Sequence, residues 1–351
     1  MNLRASMLSL SFLLLASNAF AQERPVTSYQ GSSPQLASDV RGTIRMVFGR
    51  RDTILVATSI DRGTSFSSPV VVGVISGMHL GSTRGPTIAS SRHHTMVLAI
   101  DNDGSMHRFT LTHATGRWKK LTQPLNSSPK SAPEGLASIS ADESDNFYAV
   151  WLDLRQGKQN QIYFSRFTPM RETPVANRLL YASPDGHVCE CCRPSIDVSG
   201  GHVAVMFRNF LAGARDMFAM SSRDGGKTFS PAQKLGRETW ILNACPMDGG
   251  DIAVDGTGAV ATIWRRDHTI FHARPGEVEQ HVVAGRSPAI SRRDGVTWMT
   301  WQDGLTVKLK KLSETASTTV GEGRLPQVLA LSGGEAVVAW DKSGQVFVRK
   351  F

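Results

Sequence analysis

Pro288-Ala289-Ile290-Ser291 opens a short apolar run, Trp298-Met299-Thr300-Trp301 makes a second, and residues 305–309 make a third. Asp294-Gly295 and Asp303-Gly304 stand between them. Short runs of branched and aromatic residues broken by Asp-Gly turns are strand chemistry. The opening segment recurs as Pro34-Gln35-Leu36-Ala37, Pro86-Thr87-Ile88-Ala89, Gly135-Leu136-Ala137-Ser138, Pro194-Ser195-Ile196-Asp197, Gly250-Asp251-Ile252-Ala253 and Pro326-Gln327-Val328-Leu329. The second run recurs as Val47-Phe48, Ala149-Val150-Trp151, Val205-Met206-Phe207, Ile263-Trp264 and Val338-Ala339-Trp340. Third runs cover 53–58, 161–165, 216–221, 269–273 and 345–349.

The copies average about 47 residues each, room for four strands per unit. Radially repeated four-stranded sheets are β-propellers. A β-sandwich or a solenoid is the alternative for the same runs. Two details favour the ring. The last copy holds three runs before Phe351, and residues 25–30, ahead of the first copy, offer a fourth strand. Pairing the two removes an exposed sheet edge. The expectation is an all-β propeller of six or seven blades, forming one domain over residues 22–351.

Apolar residues make up 40% and charged residues 20%, which excludes a disordered chain. Residues 1–21 read as a secretory signal peptide. Arg4 is its charged start, residues 7–15 its apolar stretch and Ala19-Phe20-Ala21 its cleavage site. That stretch is too short to span a bilayer, and no later one is long enough. The chain is therefore expected to be periplasmic or secreted, with no membrane span. Its net charge is +9, but export and the lack of a recognition motif argue against a nucleic-acid partner.

Ser222-Arg223-Asp224-Gly225-Gly226-Lys227-Thr228-Phe229 follows a third run, and Ser59-Ile60-Asp61-Arg62-Gly63-Thr64-Ser65-Phe66 occupies the same place in the first unit. In such a turn Asp accepts backbone hydrogen bonds, Gly takes φ > 0 and the aromatic packs beneath. Both segments resemble the Asp box, or BNR repeat, of the sialidase superfamily, S-x-D-x-G-x-T-[FW]. Ser65 stands where Thr is usual, and Thr115-Gly116-Arg117-Trp118 resembles a worn third copy. The resemblance implies a propeller, six-bladed in sialidases. Asp boxes are structural, so activity does not follow from them.

In a blade, the loop before strand one and the loop after strand two share a face, opposite the Asp box. Function is expected on that shared face. Arg84, Glu134, Arg193, Asp248, Arg286 and Arg324 precede strand one; Asp153, Arg208 and Arg215 follow strand two. Guanidinium forks suit a carboxylate, sulfate or phosphate. These nine residues are the candidate ligand-binding set. Sialidases hold the sialic-acid carboxylate with three arginines, one of them in R-x-P. Arg84, Arg286 and Arg324 each stand in that local motif. The resemblance also implies a Tyr nucleophile paired with Glu, and an Asp acid/base. Tyr29, Tyr148, Tyr163 and Tyr181 match no such context, so the catalytic residues stay unassigned.

Cys189-Glu190-Cys191-Cys192 and Cys245-Pro246-Met247 precede strand one of consecutive units. All four cysteines are expected in one cluster. Export favours disulfides, with Cys245 joined to Cys189, Cys191 or Cys192. The other reading is a soft-metal or thiol site for copper or zinc, with Met247, His79 and His187 nearby. Three functions follow as expectations. The first is an exported sialidase-superfamily propeller that binds an anionic small molecule or glycan, with sialidase-like hydrolysis open. The second is a periplasmic copper or thiol-redox protein. The third is a propeller that only docks a partner protein.

Overall fold

The computed structural model describes residues 26–157, 159–172 and 176–351. The expected signal peptide, 1–21, lies outside the described residues. Those residues form seven four-stranded antiparallel sheets and no helix. The architecture is a seven-bladed β-propeller.

Blade 1 runs from strand Ser32–Ser38 to Val70–Val74, and blade 2 from Thr87–Ser90 to Arg117–Lys120. Blade 3 runs from Ala137–Ala141 to Arg178–Tyr181, and blade 4 from Ser195–Ser199 to Gln233–Lys234. Blade 5 runs from Asp251–Val254 to Gln280–Ala284, and blade 6 from Arg286–Arg293 to Thr318–Glu322. Blade 7 holds Arg324–Ala330, Ala336–Lys342 and Gln345–Lys350. Its fourth strand is Thr27–Gln30 from the other end of the chain, with Thr27 opposite Val348 and Gln30 opposite Gln345. The ring thus closes as the three-run last copy requires.

A blade has neighbours on both faces, so its middle strands are apolar on both. Phe147–Asp153 is buried at every position. One hydrophobic cluster fills each junction between adjacent blades. Met96 and Leu98 meet Phe147 and Trp151 between blades 2 and 3. Ile44 and Phe48 meet Val337 and Val348 where blade 7 meets blade 1. Outer strands lose one partner and are exposed, as at Val70, Val71 and Val74.

The turns at Ser59 and Ser222 have one design. Ser222 Oγ donates to Asp224 Oδ1 at 2.7 Å and accepts the Gly226 N–H at 2.9 Å. The Asp224 carboxylate accepts the Thr228 N–H at 2.9 Å and the Thr228 hydroxyl at 2.6 Å. In blade 1, Ser59 Oγ accepts the Gly63 N–H at 2.7 Å, and the Ser65 hydroxyl reaches Asp61 at 2.6 Å. Ser65 therefore replaces Thr without losing a bond. Burial opposes ionisation of Asp61, but hydrogen bonds from Ser65 and Ser59 bring its carboxyl down to about 2. Gly226 has φ 79, and a Cβ there would lie 2.8 Å from Phe164 of blade 3. Glycine is needed for both reasons.

Candidate functional site

The seven innermost strands surround an axial tunnel of about 1300 Å³. It opens at the face carrying the strand-one hairpins and the Ser222 turn, where Asp142, Asp255 and Lys227 line it. It narrows at the opposite face, among Ser33, Arg84, Arg193, Asp248, Ser287 and Leu325. The roomy end is therefore opposite the face on which the sequence led us to expect function.

The narrow end is shaped by bulges. Gly31-Ser32-Ser33-Pro34, Gly285-Arg286-Ser287-Pro288 and Gly323-Arg324-Leu325-Pro326 begin blades 1, 6 and 7. Ser33, Ser287 and Leu325 take φ of 57, 49 and 50, and the strand register shifts at each. Left-handed backbone before proline is strained, and the bulge re-aims the chain. Ser287 and Leu325 line the narrow end, whereas Arg286 and Arg324 do not. Arg324 has a side chain 58% exposed and turns to Asp341 of its own blade at 3.4 Å. Arg286 is exposed and makes no ion pair among the described residues.

The expected arginine ring resolves into separate environments. Arg84 lines the narrow end but is held by blade 3. Its Nε donates to the Glu134 carbonyl at 2.6 Å, and Nη2 lies 3.3 Å from the Glu134 carboxylate. Asp153 is fully buried and accepts from Trp151 Nε1, Ser131 Oγ and the Arg155 guanidinium. Asp248 is buried and accepts Arg265 Nε and the Ser287 N–H, both at 2.8 Å. Arg208 is buried inside the blade 4 to blade 5 junction. It donates to the carbonyls of Arg215, Asp248 and Arg265 and stacks on Trp240.

Arg193 differs from these. It lines both the tunnel and its narrow end. Among the described residues it makes no hydrogen bond and no ion pair. Burial pushes its guanidinium below the ordinary value, while the charge of Asp251 on blade 5 pulls the other way. Asp251 and Asp197 stand on innermost strands of the tunnel wall. Burial raises Asp197 to about 7 and Asp251 to about 6, against backbone hydrogen bonds that favour the charged form. Sequence reasoning passed over both acids, although a carboxylate inside an innermost strand was visible in the repeats.

The cysteines divide. Cys189, Cys191 and Cys192 are buried with their sulfurs 3.5–4.0 Å apart, on the loop entering blade 4. Met247, from the loop entering blade 5, packs on them. Arg215 Nη1 donates to Cys189 Sγ at 3.1 Å. Cys245 is an exposed free thiol outside this cluster, which corrects the expected four-cysteine group and its disulfide. Cys245 belongs to the exposed end of its loop, and the chain turns inward only at Pro246. His187 stacks on Phe210 instead, and His79 packs against Gly135 near Arg84.

Fold and site together define a propeller with a polar axial tunnel and a buried sulfur cluster. It is similar to a polysaccharide lyase of the PL25 ulvan lyase family solved bound to -[GlcA(1-4)Rha3S]-. The TM-score is 0.59 and the identity 11%, over 91% of this chain and 93% of that one. It is also similar to the BP39L lectin of Burkholderia pseudomallei, with TM-score 0.55 and 11% identity over 89% and 96%. The SapL1 lectin, solved with alpha methyl fucoside, gives TM-score 0.51 and 13% identity over 84% and 97%. At these identities the likeness is one of fold. No family model matches the sequence, and no curated protein is significantly similar to it.

Proposed function

We propose that this chain is an exported Asp-box propeller of the sialidase superfamily, one domain over residues 22–351, that binds an anionic glycan in its axial tunnel. Arg193 carries the proposal. It is a guanidinium on the tunnel lining with no hydrogen-bonding partner among the described residues, depressed by burial and so stabilised by any anion seated against it. Its fork matches a uronate carboxylate or a sulfate ester. The superfamily assignment rests on the shared turn geometry at Asp61 and Asp224. The fold neighbours point the same way, since two are lectins and the lyase ligand carries GlcA and Rha3S units.

Binding, not hydrolysis, is proposed. Tyr148 is the tyrosine that lines the tunnel. Burial and its 2.8 Å bond to Asp142 push its hydroxyl above the ordinary value, the wrong direction for a nucleophile.

A panel of uronate-bearing, sulfated and neutral oligosaccharides tests the proposal. Anionic members should bind and neutral ones should not. Arg193→Gln should lose roughly 1.5–3 kcal/mol of binding, whereas Arg286→Gln should lose none. Equal binding by Arg193→Gln, or no binding of any anionic glycan, overturns it.

A further inference from the structure

The sulfur cluster has metal-site dimensions. A circle through the three sulfurs has a radius of about 2.1 Å, against about 2.3 Å for a metal–thiolate bond. An ion bound to all three sits just outside their plane and leaves one side open. Met247 packs against the group, its backbone held at φ 54, where an unbranched residue is seldom found.

The donor set chooses among ions. Structural zinc takes thiolate, imidazole and carboxylate, whereas thiolates joined by a thioether suit Cu(I). Charge agrees. Three thiolates and Cu(I) sum to two negative charges, and two buried arginines face them. Arg215 touches Cys189 at 3.1 Å. Arg208, whose Nε–H has no hydrogen-bond partner, places its charge on Cys189 and Cys192.

We propose that Cys189, Cys191 and Cys192 bind one Cu(I) ion as thiolates, with Met247 as a weaker fourth contact. Binding releases whatever protons the three sulfurs still carry and transfers no electron. The site is independent of the glycan proposal, and Cys245 takes no part in it.

Protein stripped of metal and reduced without oxygen is mixed with Cu(I) held by a colorimetric chelator. One equivalent of copper should pass to the protein, with a sulfur-to-copper charge-transfer band and three sulfur neighbours in X-ray absorption. Cys191→Ser should lose the band, and Cys245→Ser should keep it. Met247→Leu preserves volume. It should bind copper about 10-fold more weakly with an unchanged melting temperature, so the test stands even if Cys191→Ser misfolds. The proposal falls if the reduced wild-type protein withdraws no copper or if Zn(II) displaces Cu(I). It also falls if two of the three cysteines form a disulfide that reductant leaves intact in the folded protein. Unchanged copper affinity in Met247→Leu removes the thioether from the site.

Discussion

Asp251 Oδ2 accepts the backbone N–H of Ile290 at 3.0 Å, so a carboxylate of blade 5 satisfies the free edge of blade 6. Asp197 does the same for Val254 at 2.8 Å, and Ser291 for Ala330 at 3.0 Å. Innermost strands have no further strand to pair with, and buried N–H groups need acceptors. The tunnel wall is stitched from blade to blade by these side chains.

Stability should fall as pH rises from about 4 to about 7. Burial raises Asp197 to about 7 and Asp251 to about 6, from an ordinary 3.8. The folded protein then holds protons that the unfolded chain has released. This contribution is fully present below the ordinary value and is lost as pH rises through the two raised ones. Melting temperature against pH should show that slope, and Asp197→Asn with Asp251→Asn should flatten it. A slope that survives both substitutions assigns it to other groups.

The same titration should govern the proposed ligand. Below about pH 6 Asp251 becomes neutral and no longer competes for Arg193. Affinity for a sulfated oligosaccharide, which keeps its charge, should therefore rise as pH falls. Calorimetry on Asp251→Asn should find a weaker pH dependence, the remainder belonging to Asp197 on the same wall; an unchanged pH profile there dissociates Asp251 from binding.

The Ser222 turn should tolerate little. Ser222→Ala removes the acceptor for Gly226 N–H and should cost about 1 kcal/mol. Gly226→Ala meets Phe164 in left-handed backbone and should cost roughly 1–3 kcal/mol. Ser65→Thr should lie within about 0.5 kcal/mol of the parent. Urea midpoints rank the three; a neutral Gly226→Ala contradicts the tight contact.

Removing residues 26–31 takes away the strand paired with Gln345–Lys350 and bares that edge. It also deletes Tyr29, which stacks on Phe48 at 5.7 Å and donates to the Ser67 carbonyl. The truncated protein should aggregate and melt lower, seen by light scattering and calorimetry. Unchanged solubility and melting would mean that the closing strand is dispensable.

The repeat was legible because its signals are local. Trp151, Trp264, Trp301 and Trp340 each close a second run, and turn residues mark every gap. Counting copies pointed to seven blades while the sialidase resemblance implied six, so the sequence left six or seven open and the sheets decide for seven. The arginines were harder. Arg286 and Arg324 share a motif with Arg84, but the left-handed residue after each lies in a bulge that the letters do not reveal. Arg193, with no glycine-led bulge before it, reaches the tunnel. The cysteine spacing put Cys189, Cys191 and Cys192 together correctly. It misplaced Cys245 because loop depth depends on packing between blades 4 and 5.

Joining Thr27 to Val348 has a kinetic consequence. The contact spans nearly the whole chain, and long-range pairings form slowly because loop entropy must be overcome first. Six blades are hairpin-built from neighbouring sequence, so they gather early; the seventh waits for both ends. A fluorophore pair at residues 28 and 347 should therefore report the last step of refolding, after strand signal has already appeared. Until that step the molecule is an open arc with two unpaired flanks, and the interval is when it is most exposed to association with its own copies.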